Sequence, residues 1–211
     1  FLVWFKRNKK KNWWIKYKYI VMQKLLAGVD EVGRGSLIGP VCAAAVILKR
    51  KIDRKKLKDS KKLSKENREI LEKYIKKNSI WAIGSASKIE IEKYNILNAS
   101  LIAMKRAIKK LKKKPKLVLI DGNKMPIIKN YKLKNIIKGD EKIPEISAAS
   151  IIAKVSRDRL VNKMSKEFTK YSWHKNAGYG TKDHLRAIKK FGITKHHRKT
   201  FNPIHNILSL K

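Results

Sequence analysis

Hydrophobic and polar positions change period several times along the chain. A nearly unbroken apolar run, Leu25-Leu-Ala-Gly-Val29, leads into Asp30-Glu31 and a glycine-rich turn, and a second run follows from Ile38 to Leu48. Two apolar runs around a turn of this kind predict a hairpin-like pair of strands. Ile80 to Ser87 and Leu117 to Gly122 are short, rich in branched residues and bounded by turn formers, and they predict two further strands. Other stretches follow the helical period. Ser64 and Glu66 precede apolar positions at Ile70, Leu71, Tyr74 and Ile75, the pattern of a capped amphipathic helix. Asn98 to Leu111 keeps apolar residues on one face and lysines on the other, Ala148 to Met164 predicts a third helix, and Lys182 to Lys190 a fourth. Strands first, then helix and strand in alternation, then helices describe a mixed α/β layer fold followed by a helical cap. No internal repeat or Ser/Pro-rich linker divides the chain after residue 25.

Composition narrows the class. The chain has 211 residues and is 43% hydrophobic, enough for a core in one domain of ordinary size. With 10 Gly, 5 Pro and one cysteine, Cys42, it is neither collagen-like nor held by an internal disulfide. Cys42 lies in an apolar strand and reads as a small buried hydrophobe. Charge is the unusual property: 54 Lys and Arg face 16 Asp and Glu, a formal net charge of +38. Such an excess favours a polyanionic partner, nucleic acid or an anionic membrane. The same excess also follows from codon bias, since Lys, Ile and Asn dominate stretches such as Lys109 to Lys114.

Residues 1–25 form a separate basic and aromatic extension, with Trp4, Trp13, Trp14, Tyr17 and Tyr19 among lysines and no acid. Lys16 and Lys18 interrupt any apolar run long enough for a secretory signal. The expectation is that residues 1–21 are an upstream or poorly ordered extension, that Met22 is close to the natural start, and that 26–211 form the domain. No run of about 20 apolar residues predicts a membrane span.

Because acids are scarce, their positions carry information. Asp30 and Glu31 follow one apolar strand, Asp121 follows Leu117-Val-Leu-Ile120, and Asp140 closes Asn135-Ile-Ile-Lys-Gly139. Carboxylates at strand ends suit a hard divalent cation such as Mg²⁺, whose remaining ligands are water and substrate phosphate. Two such ions can stabilise the attacking and leaving oxygens of a phosphodiester displacement. Each acid alone could equally pair with one of the many lysines. Alternation along a strand also sends Asp30 and Glu31 to opposite faces, so a shared site requires the strand to end or bulge there. Gly33 and Gly35, flanking Arg34, supply that freedom and let backbone N–H groups approach a phosphate or sugar.

Ala27-Gly-Val-Asp-Glu-Val-Gly-Arg-Gly35, Asp59-Ser-Lys-Lys-Leu-Ser64, Ile120-Asp-Gly-Asn123, Gly139-Asp140, Pro144 to Arg159, Gly178-Tyr-Gly-Thr181, His184 and His197-Arg198 closely resemble the bacterial ribonuclease HII family, the type 2 ribonucleases H. The resemblance runs in consistent order from about Leu26 to Ile207. It implies an RNase H-like fold, a five-stranded mixed sheet flanked by helices, with a C-terminal helical extension. It also implies cleavage of the RNA strand of RNA–DNA hybrids and of the 5′ side of single ribonucleotides in duplex DNA, leaving 3′-hydroxyl and 5′-phosphate ends.

By the same resemblance, Asp30, Glu31, Asp121 and Asp140 are the catalytic metal ligands for two Mg²⁺ or Mn²⁺ ions. Gly33, Arg34 and Gly35 read the ribose 2′-hydroxyl and Tyr179 stacks on the next sugar. Ser60, Lys61, Lys62 and Ser147 are phosphate or substrate contacts. The 2′-hydroxyl is what distinguishes RNA from DNA locally, so a reader of this kind is physically required. A cytoplasmic monomer that needs no membrane is expected. Ser36 and Ala177 stand where the family commonly has proline and lysine, which bears on loop stiffness and phosphate affinity rather than on the carboxylates. Ser150 is read as a packing residue and Asp158 as an ion-pair member. His184, His196 and His197 are given structural or phosphate-facing roles. The alternative is a noncatalytic basic nucleic-acid-binding protein, which would bind in a salt-dependent way without metal-dependent products.

Overall fold

A computed structural model describes residues 26–57 and 63–209. The basic extension and the Ser60-Lys61-Lys62 motif therefore lie outside the described residues. The centre is one five-stranded sheet in the order β3-β2-β1-β4-β5. Strand β1 (Leu26–Val32) pairs antiparallel with β2 (Val41–Leu48), and β2 antiparallel with β3 (Ser79–Ala86). On its other side β1 pairs parallel with β4 (Leu117–Asp121), which pairs parallel with β5 (Leu133–Ile136). The hairpin-like pair and the strands at residues 80–87 and 117–122 thus form as expected. Strand β5 was not anticipated: Leu-Lys-Asn-Ile is too short and mixed to show a period, and pairing with β4 creates it.

Helices cover both faces. Helix α1 (Lys65–Lys77) starts where Ser64 accepts the Asn67 N–H, the cap expected from sequence. Helix α2 (Lys88–Lys109) begins ten residues before the expected Asn98, because Ser87 and Glu90 complete a reciprocal capping box. It breaks at Asn95 (φ 63°), whose side chain caps the second segment through the Asn98 N–H. After the short α3 (Gly139–Lys142), the long α4 (Pro144–Glu167) opens with proline in its first turn, where a missing N–H costs nothing. Helices α5 (Trp173–Asn176), α6 (Lys182–Phe191) and α7 (Ile204–Ser209) make up the C-terminal extension. Among the described residues no helix is long and apolar enough to cross a membrane.

The core follows these layers. Ala43, Ala45, Val29, Val118 and Ile120 meet Ala99, Ala103, Met104 and Ala107 of α2 on one face. On the other, Ala44, Val46 and Leu48 meet Ala148, Ile152 and Val155 of α4, with Leu71 and Ile75 of α1 beside them. Glu72 of α1 is buried against α4, where Lys76 and Arg159 hold its carboxylate. Cys42 is buried, as its strand position predicts.

Helix α4 comes down directly on β1. A Cβ placed on Gly28 would stand 2.1 Å from the Glu145 carbonyl carbon, so only glycine permits this approach. Gly28→Ala should therefore cost about 1–3 kcal/mol in urea denaturation, the usual cost of overpacking where backbone is the obstacle.

Candidate active site at the ends of the central strands

Parallel pairing of β1 with β4 sets Val29 against Ile120, which brings the next residues, Asp30 and Asp121, side by side at the strand ends. Gly28 and Asp30 are two apart on β1 and face α4. Ser150 of α4, expected to serve packing, stands near the Asp30 carboxylate and favours its charged form, and the Glu31 N–H donates to Asp30 Oδ1 at 2.7 Å. The Asp121 Oδ1 accepts the Gly139 N–H at 2.6 Å, which seats the start of α3 beside β4 and puts Asp140 next to Asp121. Glu31 is placed differently. Strand β1 runs on regularly through Val32, pairing Asp30 with Ala44 and Glu31 with Ala43, so it neither ends nor bulges at the acid pair. Alternation starts the Glu31 side chain toward the other face, where Arg34 Nη1 meets its Oε1 at 3.2 Å, yet its carboxylate stays within electrostatic reach of Asp30 and Asp121 at the strand end.

Electrostatics ties these acids together. Asp30 is 7% exposed; burial, and then the neighbouring Glu31, pushes its carboxyl well above the usual range, and Asp121 pushes it further. Burial also raises Glu31, against the pull of Arg34, and raises Asp121, to which Asp140 adds like charge. Among the described residues no three Asp, Glu, His or Cys side chains are closed into a ready-made metal cage. The donor set nevertheless fits divalent ions of the Mg²⁺ or Mn²⁺ kind. These are hard oxygens whose mutual repulsion a cation relieves, and such ions keep much of their shell for water and phosphate.

Beside the acids, the loop Gly33-Arg34-Gly35 is clamped from several sides. Ser36 bridges to Tyr179 and Ile38 to His197, while Leu37 donates to the Gly178 carbonyl and Gly39 to the His196 carbonyl. The buried Ser36 hydroxyl lies 3.1 Å from the Gly178 carbonyl and 3.2 Å from that of Ile38, so the hydroxyl at this position links the two loops. Tyr179 stands over Gly35, and Arg157 lies 5.7 Å from its ring centre. Arg157 and Arg198 are both fully buried beneath the loop. Burial, then the charge of Arg157, draws the Arg198 guanidinium down to about 9; burial likewise lowers Arg157. Sequence reading missed both arginines, although the first sits in a quoted motif and the second in His197-Arg198.

Ser147 is buried, and its hydroxyl donates to the Leu57 carbonyl at 2.5 Å, at the start of the segment that carries Ser60, Lys61 and Lys62. Asp158 forms an ion pair with Lys154 at 2.8 Å. A hollow of about 750 Å³ at the α2 kink, lined by Tyr94, Asn95, Ile96, Thr200 and Phe201 among others, contains none of the four carboxylates.

His184 and His197 are bonded within the fold. His184 Nδ1 lies 2.9 Å from the Tyr179 carbonyl and its Nε2 accepts Trp173 Nε1–H at 2.9 Å. His197 Nδ1 accepts the Thr194 N–H, leaving its Nε2–H to donate to His184 Nε2 at 3.2 Å. Each ring is thus neutral with one tautomer, because a second proton on either would face a donor.

The structure thus joins a mixed five-stranded sheet, acids at its central strand ends and a clamped glycine loop in a strongly basic chain. The ribonuclease HII family model matches residues 27–204. The chain belongs to that family, whose members are divalent-metal-dependent ribonuclease H endonucleases. It is 74% identical over 185 residues to the ribonuclease HII of Pelagibacter ubique (strain HTCC1062), covering 88% of this chain and 100% of that protein. It is 51% identical over 177 residues to that of Rickettsia bellii (strain OSU 85-389), covering 84% and 89%. The crystal structure of ribonuclease H2 from Pyrococcus horikoshii OT3 superposes with a TM-score of 0.73 at 25% identity, covering 88% of this chain and 97% of that one.

The His197 ring, held down to about 3 chiefly by burial and then by His184, sets an acid limit on stability. Folded His197 stays neutral while the unfolded ring takes a proton near its ordinary 6.5, so stability is full above that value and declines as pH falls toward about 3. In thermal denaturation across this range, His197→Gln should lose less stability toward acid than the wild type does.

Proposed function

We propose that this protein cuts duplex DNA on the 5′ side of an embedded ribonucleotide, and the RNA strand of RNA–DNA hybrids, leaving 3′-hydroxyl and 5′-phosphate ends. The observation that carries the reading is the register that sets buried Asp30 beside Asp121, next to a glycine loop clamped with its outer residues exposed. Asp30, Glu31, Asp121 and Asp140 would together hold two Mg²⁺ or Mn²⁺ ions. The bound ions supply Lewis acidity at the phosphate and make water a competent nucleophile near neutral pH.

The remaining work falls to the chain. The Glu31 N–H and the Gly139 N–H orient the carboxylates of Asp30 and Asp121, so their oxygens are aimed before substrate arrives. Backbone groups of Gly33, Arg34 and Gly35 take the ribose 2′-hydroxyl, and Tyr179 stacks on the following sugar. Ser60, Lys61 and Lys62 hold phosphates; Ser147 supports their segment through Leu57 in addition to any substrate contact of its own. Lysines elsewhere gather the duplex non-specifically. The enzyme acts as a cytoplasmic monomer on nucleic acid without a membrane.

The deciding assay is a denaturing gel on duplex DNA containing one ribonucleotide, with Mg²⁺, Mn²⁺ or EDTA, beside an all-DNA control. One metal-dependent cut 5′ to the ribonucleotide is expected; binding without a cut by folded protein would overturn the reading. Asp30→Asn should lower cleavage by more than about 100-fold while retaining duplex binding, since it removes a ligand and leaves the basic surface intact. Because it also removes a buried, repelled charge, metal-free Asp30→Asn should melt above the wild type.

A further inference from the structure

The two buried arginines beneath the glycine loop have no part in the carboxylate site, and their surroundings are unusual. Arg198 spends its whole fork on backbone: Nε donates to the Gly39 carbonyl at 2.9 Å, Nη1 to that of Arg34 at 3.0 Å and Nη2 to that of Gly33 at 2.8 Å. Arg157 Nη1 donates to the Ala177 carbonyl at 3.0 Å, while its Nε and Nη2 have no partner among the described residues. A Cβ on Gly33 (φ +90°) would stand 2.2 Å from Arg157 Nε, so the loop backbone rests directly on this guanidinium. Burying two neighbouring cations is costly, and in a chain of +38 they are not needed for solubility.

Peptide geometry shows what the arrangement achieves. In a trans peptide the carbonyl of one residue and the N–H of the next point in opposite directions. Holding the Gly33 and Arg34 carbonyls inward therefore turns the Arg34 and Gly35 N–H groups outward. Both of those residues are exposed, and neither N–H is donated to a backbone carbonyl among the described residues. A planar guanidinium can hold adjacent carbonyls at once; a lysine ammonium, a point donor on a flexible stem, does so poorly.

We infer that Arg198, seated against the same loop as Arg157, is a specificity-determining positioning residue. It fixes the two outward amides that distinguish a ribonucleotide from a deoxyribonucleotide. This rests on the reading that the Gly33–Gly35 loop takes the 2′-hydroxyl.

The test compares dissociation constants in EDTA, where nothing is cut, for a one-ribonucleotide duplex and its all-deoxy counterpart. Wild-type protein should bind the ribonucleotide duplex more tightly. Arg198→Lys should narrow that ratio by about fivefold, the worth of a hydrogen bond, with all-DNA affinity within about twofold of wild type. If the variant melts lower but keeps the wild-type ratio, the arginine is only structural and the inference fails. Should Arg198→Lys not fold, Arg157→Lys is measured in its place; narrowing of about twofold supports the brace and an unchanged ratio overturns it. A wild-type ratio of one would instead remove the 2′-hydroxyl reading itself, and the brace with it.

Discussion

The arrangement of this molecule depends on one close approach, that of α4 to β1 at Gly28. Because no side chain intervenes, the helix backbone lies on the strand, and Ser150 of α4 is brought near the Asp30 carboxylate. Parallel pairing then puts Asp121 beside Asp30, and the Gly139 N–H on Asp121 positions Asp140. A wider spacing between helix and sheet would leave the carboxylates in water, unaimed. The site is thus a consequence of packing one helix as tightly as backbone permits.

A second dependence runs through the C-terminal extension. Its cluster of Trp173, Tyr171, Ile188 and Ile204 packs with Leu37 and Ile38, immediately after the glycine loop. The histidine pair joins Trp173, Thr194 and the Tyr179 carbonyl, and Arg198 follows directly in the chain. The extension therefore holds both the loop and the tyrosine facing it. Of the four acids, Asp30, Glu31 and Asp121 lie on the sheet and Asp140 on α3, whereas the glycine loop is held by the extension.

Charge is distributed with a corresponding logic. Burial first, and then like charge among Asp30, Glu31, Asp121 and Asp140, raises the carboxyls of Asp30, Glu31 and Asp121, a strain that a divalent cation relieves. Beneath the neighbouring loop, Arg157 and Arg198 repel each other and are held by carbonyl dipoles instead of carboxylates. Folded stability is given up at both places for a preset geometry, as is common where binding requires groups aimed in advance. The wider lysine excess acts at longer range and is screened by salt.

Sequence alone determined the layer order, four of the five strands and the cap of α1, because these rest on local period, and it drew attention to four acids that are scarce in a basic chain. It also carried the motifs that resemble ribonuclease HII, which the family match bears out. Tertiary structure decided what no local pattern contains. Strand β5 exists through its pairing with β4; α2 starts at the Ser87 capping box and turns at Asn95; Glu31 meets Arg34 while staying within electrostatic reach of Asp30 and Asp121. The buried arginines carry the same lesson. Arg157 and Arg198 look like ordinary surface cations among 54 basic residues, and only long-range folding, which brings chain segments some 160 residues apart to one loop, shows that they hold backbone. Period and composition report on neighbours along the chain, whereas a guanidinium bonded to distant carbonyls is set by contacts that close only when the sheet, α4 and the extension meet.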